Sequence, residues 1–515
     1  MGWWYDAMSN AGSRIPRRSL QPACQFDPRA ASAPVFNDPA TFGFPIVGAS
    51  QQSIRDKSIM ATFARLMRLS GAVLATAVLA APVFGQSLDI RAPSGAPRAT
   101  TGAAPAAVPA AAAAPTPAPE WSGESGASNH PLMTAQAIRA AAANFRSCLE
   151  GLWPQAERRG VSRAVFDANV AGLTPDLRIM DLLDSQPEFT KSVWDYLDLL
   201  VSDERIANGR AILAQHRAAF EAVEKAYGVD RYIIAAIWGV ESNYGTMIGD
   251  RSVIRSTATL ACVGRRQDYF REEFLSALEI LARGDVRPDH LKGSWAGAFG
   301  PTQFMPTSFK RFAVDHDGDG RRDVVDSVPD LIASTANNLK KDGWVAGQSW
   351  GYEVVLPKDF NFLLADRSRM MTMREWERLG IRRAGGKPFP RPEDRAYLLV
   401  PAGAQGPGFL MLQNFRAIMK YNPAEAYALA IGHLADRFRG GGPFVQPWPR
   451  HERVLTRAER YELQQLLAQR GFDVGEPDGR LGGKTRNALR QFQSSVGQVP
   501  DGFASEAVLG QLRSR

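Results

Sequence analysis

Cysteine is nearly absent, at three among 515 residues. That excludes a cysteine-stapled scaffold and a cysteine-based zinc site. A dense run of one charge sign is also missing. The formal charge of +8 comes from basic residues spread over the chain. Such a charge suits an anionic partner in general and does not single out nucleic acid, which is not an expected partner. The apolar stretch Ala72 to Ala81 falls short of the roughly 20 residues that a membrane-spanning helix needs, so no transmembrane segment is expected. What is present, 45% hydrophobic and 22% charged residues, fits a globular protein with disordered portions and a length that allows several domains.

The N-terminal part reads as targeting. Residues 60–86 have a secretory pattern: Arg65 and Arg68, then the short apolar core, then small residues with cleavage expected after Ala80 or Gly85. No cysteine closes the core, so a lipid anchor is not expected. A signal this far inside a chain is out of place. Translation is therefore expected to begin at Met60, with residues 1–59 outside the mature protein, and the destination is expected to be the periplasm. Residues 87–131 are Ala/Pro-rich, including Ala110 to Ala114 and Pro115-Thr116-Pro117. They read as a semi-extended tether that, at ~3 Å per residue, reaches on the order of 100 Å.

The remainder predicts an α+β chain, mainly α. Residues 132–450 form a helical domain, with 345–412 as a small β-containing insertion and 453–515 as a three-helix module. Helical spacing runs through Ala135–Leu152, Pro187–Val201, Ile206–Tyr227, Phe415–Met419 and Ala424–Phe438. Tyr352 to Leu356 and Ala396 to Val400 are strand-like between Gly/Pro turns.

Within the domain, Tyr232 to Val240 is apolar on every face, the signature of a buried helix. It delivers Glu241 to the polar turn Ser242-Asn243-Tyr244-Gly245. Burial there favours a protonated carboxyl, as a general acid requires; a structural glutamate paired with an arginine is the other reading. Ser294 to Pro306 combines small residues, aromatics and the amide of Gln303, which suits a sugar cleft, while a Gly-rich helix contact is the alternative.

Together with these segments, Ala313-Val314-Asp315, Asp317 to Gly320, Tyr421-Asn422 and Tyr427-Ala428 make residues 134–440 resemble the lytic murein transglycosylase B family. The resemblance implies a lysozyme-like core that cleaves the MurNAc–GlcNAc β-1,4 bond of peptidoglycan without water, leaving 1,6-anhydroMurNAc ends. It implies Glu241 as acid and then base, and Ser294, Gln303, Tyr421, Asn422 and Tyr427 along the saccharide cleft, with Tyr244 as a cleft-wall candidate. No cofactor is implied for catalysis. Glycan strands are the implied partner, and other cell-wall enzymes are candidate partners. Ordinary glycosidases use two carboxylates, and the cleft motifs offer no evident second one; nothing in the sequence places Asp250 there. A hydrolytic muramidase and a non-catalytic wall-binding scaffold are the alternatives.

Asp315, Asp317, Asp319, Arg321 (through its carbonyl), Asp323 and Asp326 follow the spacing of a calcium loop, with Gly320 at the sharp turn and Asp330 as a substitute for the last ligand. The resemblance favours a structural calcium; an acidic surface turn is the alternative. Cys148 and Cys262 are disulfide candidates in an oxidising compartment, or else small buried residues. Residues 455–512 repeat Pro-Asp-Gly at 477–479 and 500–502 and resemble the peptidoglycan-binding module appended to wall hydrolases.

Overall fold

The computed structural model describes residues 121–126, 130–183 and 191–514. The upstream segment, the signal and most of the tether lie outside the described residues.

A mainly helical body is built around Arg231–Ser242, here termed the glutamate helix. Asp230 caps it by accepting from the Tyr232 amide at 2.9 Å, and Ile233 through Gly239 are buried. It packs between Asp203–Gln215 and Glu425–Phe438, the latter termed the tyrosine helix. Burial of one Leu- or Ile-sized side chain contributes about 2 kcal/mol, so an all-apolar helix is held most firmly at the centre of a body. The longest helix among the described residues, Gln267–Arg283, lies along Val253–Cys262. A disulfide joins Cys148, on Phe145–Arg158, to Cys262, with the Cα atoms 6.0 Å apart.

Two expected helices are each interrupted. Asn144 breaks the first into Ala135–Ala143 and Phe145–Arg158, its side-chain amide donating to the Ala140 carbonyl at 3.1 Å. Asparagine competes in this way for backbone groups. His216 separates Asp203–Gln215 from Arg217–Tyr227. Of the segment predicted over 187–201, Val193–Leu200 is helical, and 184–190 lie outside the described residues.

A two-stranded ribbon pairs β1 (Arg251–Ser252) with β2 (Lys292–Gly293). The insertion carries β3 (Gly351–Val355), β4 (Met371–Thr372), β5 (Arg382–Arg383), β6 (Arg395–Leu399) and β7 (Gly408–Met411), antiparallel throughout in the order β4-β6-β7-β3-β5. Alternation along β6 attaches it to the body. Tyr397 and Leu399 join the main core, while Ala396 and Leu398 join a second core with Trp376 and Leu410.

The C-terminal module has its own core and three helices, Arg457–Gln469, Gly483–Ser495 and Glu506–Ser514. Thr456 and Glu459 complete the capping box. Its repeat has a structural cause. Gln464 accepts from the Gly479 amide at 2.7 Å and donates to Asp478 Oδ1 at 3.1 Å. Gln493 accepts from Gly502 at 2.8 Å and donates to Asp501 Oδ1 at 2.7 Å. Each Pro-Asp-Gly turn is thus locked by a glutamine of the preceding helix. Among the described residues no helix is long and apolar enough to cross a membrane.

Candidate active site

The glutamate helix ends at Asn243, whose left-handed backbone (φ 49°) turns the chain sharply. Glu241 sits in that last turn, 8% exposed. Tyr427, in the first turns of the tyrosine helix, donates its hydroxyl to Glu241 Oε1 at 2.7 Å. Burial first, and the Glu241 charge second, raise the Tyr427 pKa well above the phenolic range. The hydroxyl therefore keeps its proton and acts as a fixed donor to the carboxylate.

The segment from Gly293 to Met305 closes over the end of the glutamate helix as a loop with two isolated bridges, Gly293 to Phe299 and Phe299 to Phe304. Ser242 donates to the Pro301 carbonyl at 2.5 Å and accepts from the Gly245 amide at 2.9 Å. Gln303, with φ 54°, donates through Nε2 to the carbonyls of Ile248 (3.1 Å) and Gly300 (3.0 Å). Tyr421 donates to the Thr302 carbonyl at 2.6 Å. The two loops meet backbone to backbone, since a Cβ on Gly249 would lie 2.3 Å from the Gly293 carbonyl oxygen.

The sequence-predicted residues thus fall into different places. Glu241 and Tyr427 touch. Tyr421 through its hydroxyl and Gln303 through its Nε2 donate to main-chain carbonyls and hold the loop. Ser294 is half-buried, and its hydroxyl accepts from the Ala298 amide at 3.0 Å. Asn422 accepts from Ala424 at 3.1 Å and lines a cavity of about 360 Å³ between the body and the C-terminal module, with Trp194, Tyr196, Arg367, Arg480 and Phe503. Tyr244 turns inward and donates to the Arg205 carbonyl at 2.7 Å. Asp250 lines a separate cavity of about 270 Å³ with Asp176, Arg178, Arg251 and Arg255. Sequence reasoning missed Ser242. Its signal is only its place directly after Glu241 at a helix end.

The acidic loop differs from its predicted ligand set. Carboxylate oxygens of Asp315, Asp317, Asp319 and Asp330 lie within 4.8 Å of one another. Asp323 and Asp326 point elsewhere. Asp323 accepts from Arg321 Nη2 at 2.5 Å and from the Val325 and Asp326 amides, and Asp326 pairs with His290 and Arg287. The reason is local. Ser327 caps the helix Val328–Lys341, whose first turn swings Asp330 back to accept from the amides of His316, Asp317 and Asp323. The donor chemistry, all carboxylate oxygen, suits a hard cation such as calcium.

A mainly helical body with one buried carboxylate at a helix end, closed over by a glycine-rich loop, is the layout of a lysozyme-like glycan-cleaving domain. Residues 144–436 match the family model described as Transglycosylase SLT domain, and the chain belongs to that family. Residues 456–512 match the Putative peptidoglycan binding domain. Membrane-bound lytic murein transglycosylase B of Escherichia coli (strain K12) is 30% identical over 274 residues, covering 50% of this chain and 73% of that protein. The crystal structure of SltB3 from Pseudomonas aeruginosa in complex with NAG-anhNAM-pentapeptide shares 46% identity at a TM-score of 0.70, covering 72% of this chain and 99% of that one. Soluble lytic transglycosylase SltB1 from the same organism shares 29% identity at a TM-score of 0.50, covering 58% of this chain and all of that one. The chain is accordingly a lytic transglycosylase acting on peptidoglycan, with a wall-binding module at its C-terminal end.

Proposed function

We propose that the protein cleaves the MurNAc–GlcNAc β-1,4 bond with Glu241 as sole acid and base, leaving 1,6-anhydroMurNAc ends. The observation that carries this is the 2.7 Å contact between Tyr427 Oη and the buried Glu241 carboxyl. Protonated Glu241 gives its proton to the glycosidic oxygen as the bond to MurNAc C1 breaks, and GlcNAc leaves with a free hydroxyl. The 2-acetamido carbonyl oxygen of MurNAc takes up the charge at C1. Glu241, now a carboxylate oriented by Tyr427, removes the proton of the C6 hydroxyl, and that oxygen closes on C1. No water is consumed. Tyr427 positions one carboxylate oxygen through both proton transfers, and the loop of Gly293 to Met305 supports the cleft wall.

Mass spectrometry of digested sacculi tests the reading. The expected ends are one water lighter than reducing ends, and Glu241→Gln yields none; newly formed reducing ends in their place would identify a hydrolytic muramidase instead. Binding to sacculi without turnover by the parent protein would identify a scaffold.

Two further readings belong with this function. A calcium ion held by Asp315, Asp317, Asp319 and Asp330 would stabilise the acidic loop and take no part in bond cleavage. Secretion to the periplasm by residues 60–86 would place the enzyme at its substrate, and an intact mass extending upstream of Met60 in the secreted form would contradict the proposed start.

A further inference from the structure

Glu425 opens the tyrosine helix, and its carboxylate lies between guanidiniums from two other parts of the chain. Arg367, in the loop before β4, donates Nε to Oε1 at 2.7 Å. Arg486, on the second helix of the wall-binding module, donates Nη1 to Oε2 at 2.7 Å. The Glu425 side chain is only 10% exposed. Burial pushes its pKa up, and the charges of Arg486 and Arg367 outweigh that and hold it below the usual carboxylate range. Asn487 donating to Asp366 at 3.1 Å and the Ala404 amide donating to Asp501 at 2.9 Å extend the same docking contact.

The helix turn that bears Glu425 is also tied by Asn422, whose Oδ1 accepts from the Ala424 amide at 3.1 Å, and by the full burial of Tyr427 and Ala428. Its N-cap is Ala424, which provides no side-chain cap. Two residues beyond Glu425 stands Tyr427, which holds Glu241. Glu425 is the buried member of these pairs, while the Arg367 and Arg486 side chains are 46% and 27% exposed; a buried carboxylate that loses its arginines is left as an uncompensated charge. This ion-paired triad therefore constrains the turn more than a solvent-exposed bridge would.

We propose that Glu425 is a positioning residue. Its double ion pair seats the first turn of the tyrosine helix so that Tyr427 meets Glu241, which makes turnover sensitive to whether the wall-binding module is docked. The proposal rests on the reading of Glu241 given above. Body, insertion and module are joined at one carboxylate, and movement of the module is relayed over two residues to the catalytic carboxyl. An enzyme on an immobile sacculus would then turn over fastest with its module seated against the body.

The test uses the mature chain and a soluble murein tetrasaccharide. Glu425→Gln is expected to lower kcat about tenfold with KM changed less than about twofold. Arg486→Met, altered only in the module, is expected to lose part of that, about threefold, and Arg486→Lys to recover most of it. In a Tyr427→Phe background, Glu425→Gln is expected to cost less than about twofold further, because both act through one contact. Parental kcat in Glu425→Gln, losses that multiply in the double variant, or a Tyr427→Phe variant with parental kcat would each overturn the proposal. If Glu425→Gln lacks a cooperative melt, the Arg486 pair decides alone: parental kcat in Arg486→Met, or no recovery in Arg486→Lys, overturns it. Retained turnover in Glu241→Gln would instead refute the acid/base reading.

Discussion

Two loops flank the short helix Pro306–Phe312, and they are held in opposite ways. In the loop before it, neutral side chains donate to main-chain carbonyls: Ser242 to Pro301, Gln303 to Ile248 and Gly300, Tyr421 to Thr302. In the loop after it, carboxylates accept from main-chain amides, Asp315 from Gly318 and Gly320, and Asp330 from three residues. The first loop is complete as it stands. The second has its amides satisfied and gathers four carboxylates within 4.8 Å, where like charges repel unless solvent, protons or a cation offset them. The first loop is thus held in shape by neutral donors, and the second by charged acceptors.

The largest effect is expected at the group that the first loop encloses. Glu241→Gln should lower turnover by at least about 10³-fold with an unchanged melting temperature, read by product release from sacculi; a rate within tenfold of the parent would remove the functional half of the comparison. Next comes the second loop. Asp330→Ala leaves three backbone amides without their acceptor and should cost about 3 kcal/mol in urea unfolding, while kcat on soluble fragments stays at the parental value. Loss of activity in a folded Asp330→Ala protein would show that the loops are not separable. Chelation sharpens the same contrast. Removing calcium should lower the stability of the parent by about 2–3 kcal/mol, by simple linkage. Ser242→Ala, which removes the glutamate helix's donor to Pro301 in the first loop, should cost about 2 kcal/mol with or without calcium. Equal calcium responses in Asp330→Ala and the parent would place the ion elsewhere.

The smallest effect separates both loops from the body. Burial first, with the Arg437 charge adding, lowers His433 to about 4, against an ordinary value near 6.5. The unfolded chain takes up this proton below about pH 6.5 and the folded one only near pH 4, so stability falls as pH drops through that window. Asp436 runs the other way. Burial pushes it up to about 6, so its contribution is lost as pH rises through that value, and with the side chain 42% exposed it counts for little. A net loss of about 1 kcal/mol between pH 7 and 5 is expected in urea midpoints, and His433→Phe should flatten it. An unflattened slope would assign the acid response to the loops.

The sequence marked those features that one segment can encode alone. The all-round apolar run of Ile233 to Val240 needs no partner to be recognised as buried, and its end fixes Glu241. The repeated Pro-Asp-Gly turns were legible because each glycine must adopt positive φ, at 74° for Gly479 and 75° for Gly502, although the glutamines that lock them were not visible. What stayed hidden depends on pairs far apart in the chain. The direction of Gln303 follows from a carbonyl 55 residues earlier, and that of Tyr421 from one 119 residues earlier. Ligand counting in the acidic loop placed Asp323 and Asp326 at the ion because spacing ignores the helix beginning at Val328. That helix turns Asp330 inward and leaves Asp326 to His290. Tyr427 was legible as a cleft residue only through the family resemblance, and its contact with Glu241 spans 186 residues.

In the proposed mechanism Glu241 serves as both acid and base, and the sugar's own C6 oxygen replaces water. Digestion of sacculi in ¹⁸O-labelled water, followed by mass spectrometry of the new muramoyl ends, tests it most directly. The expected products are 1,6-anhydro ends carrying no label; reducing ends with one ¹⁸O at C1 would refute the mechanism.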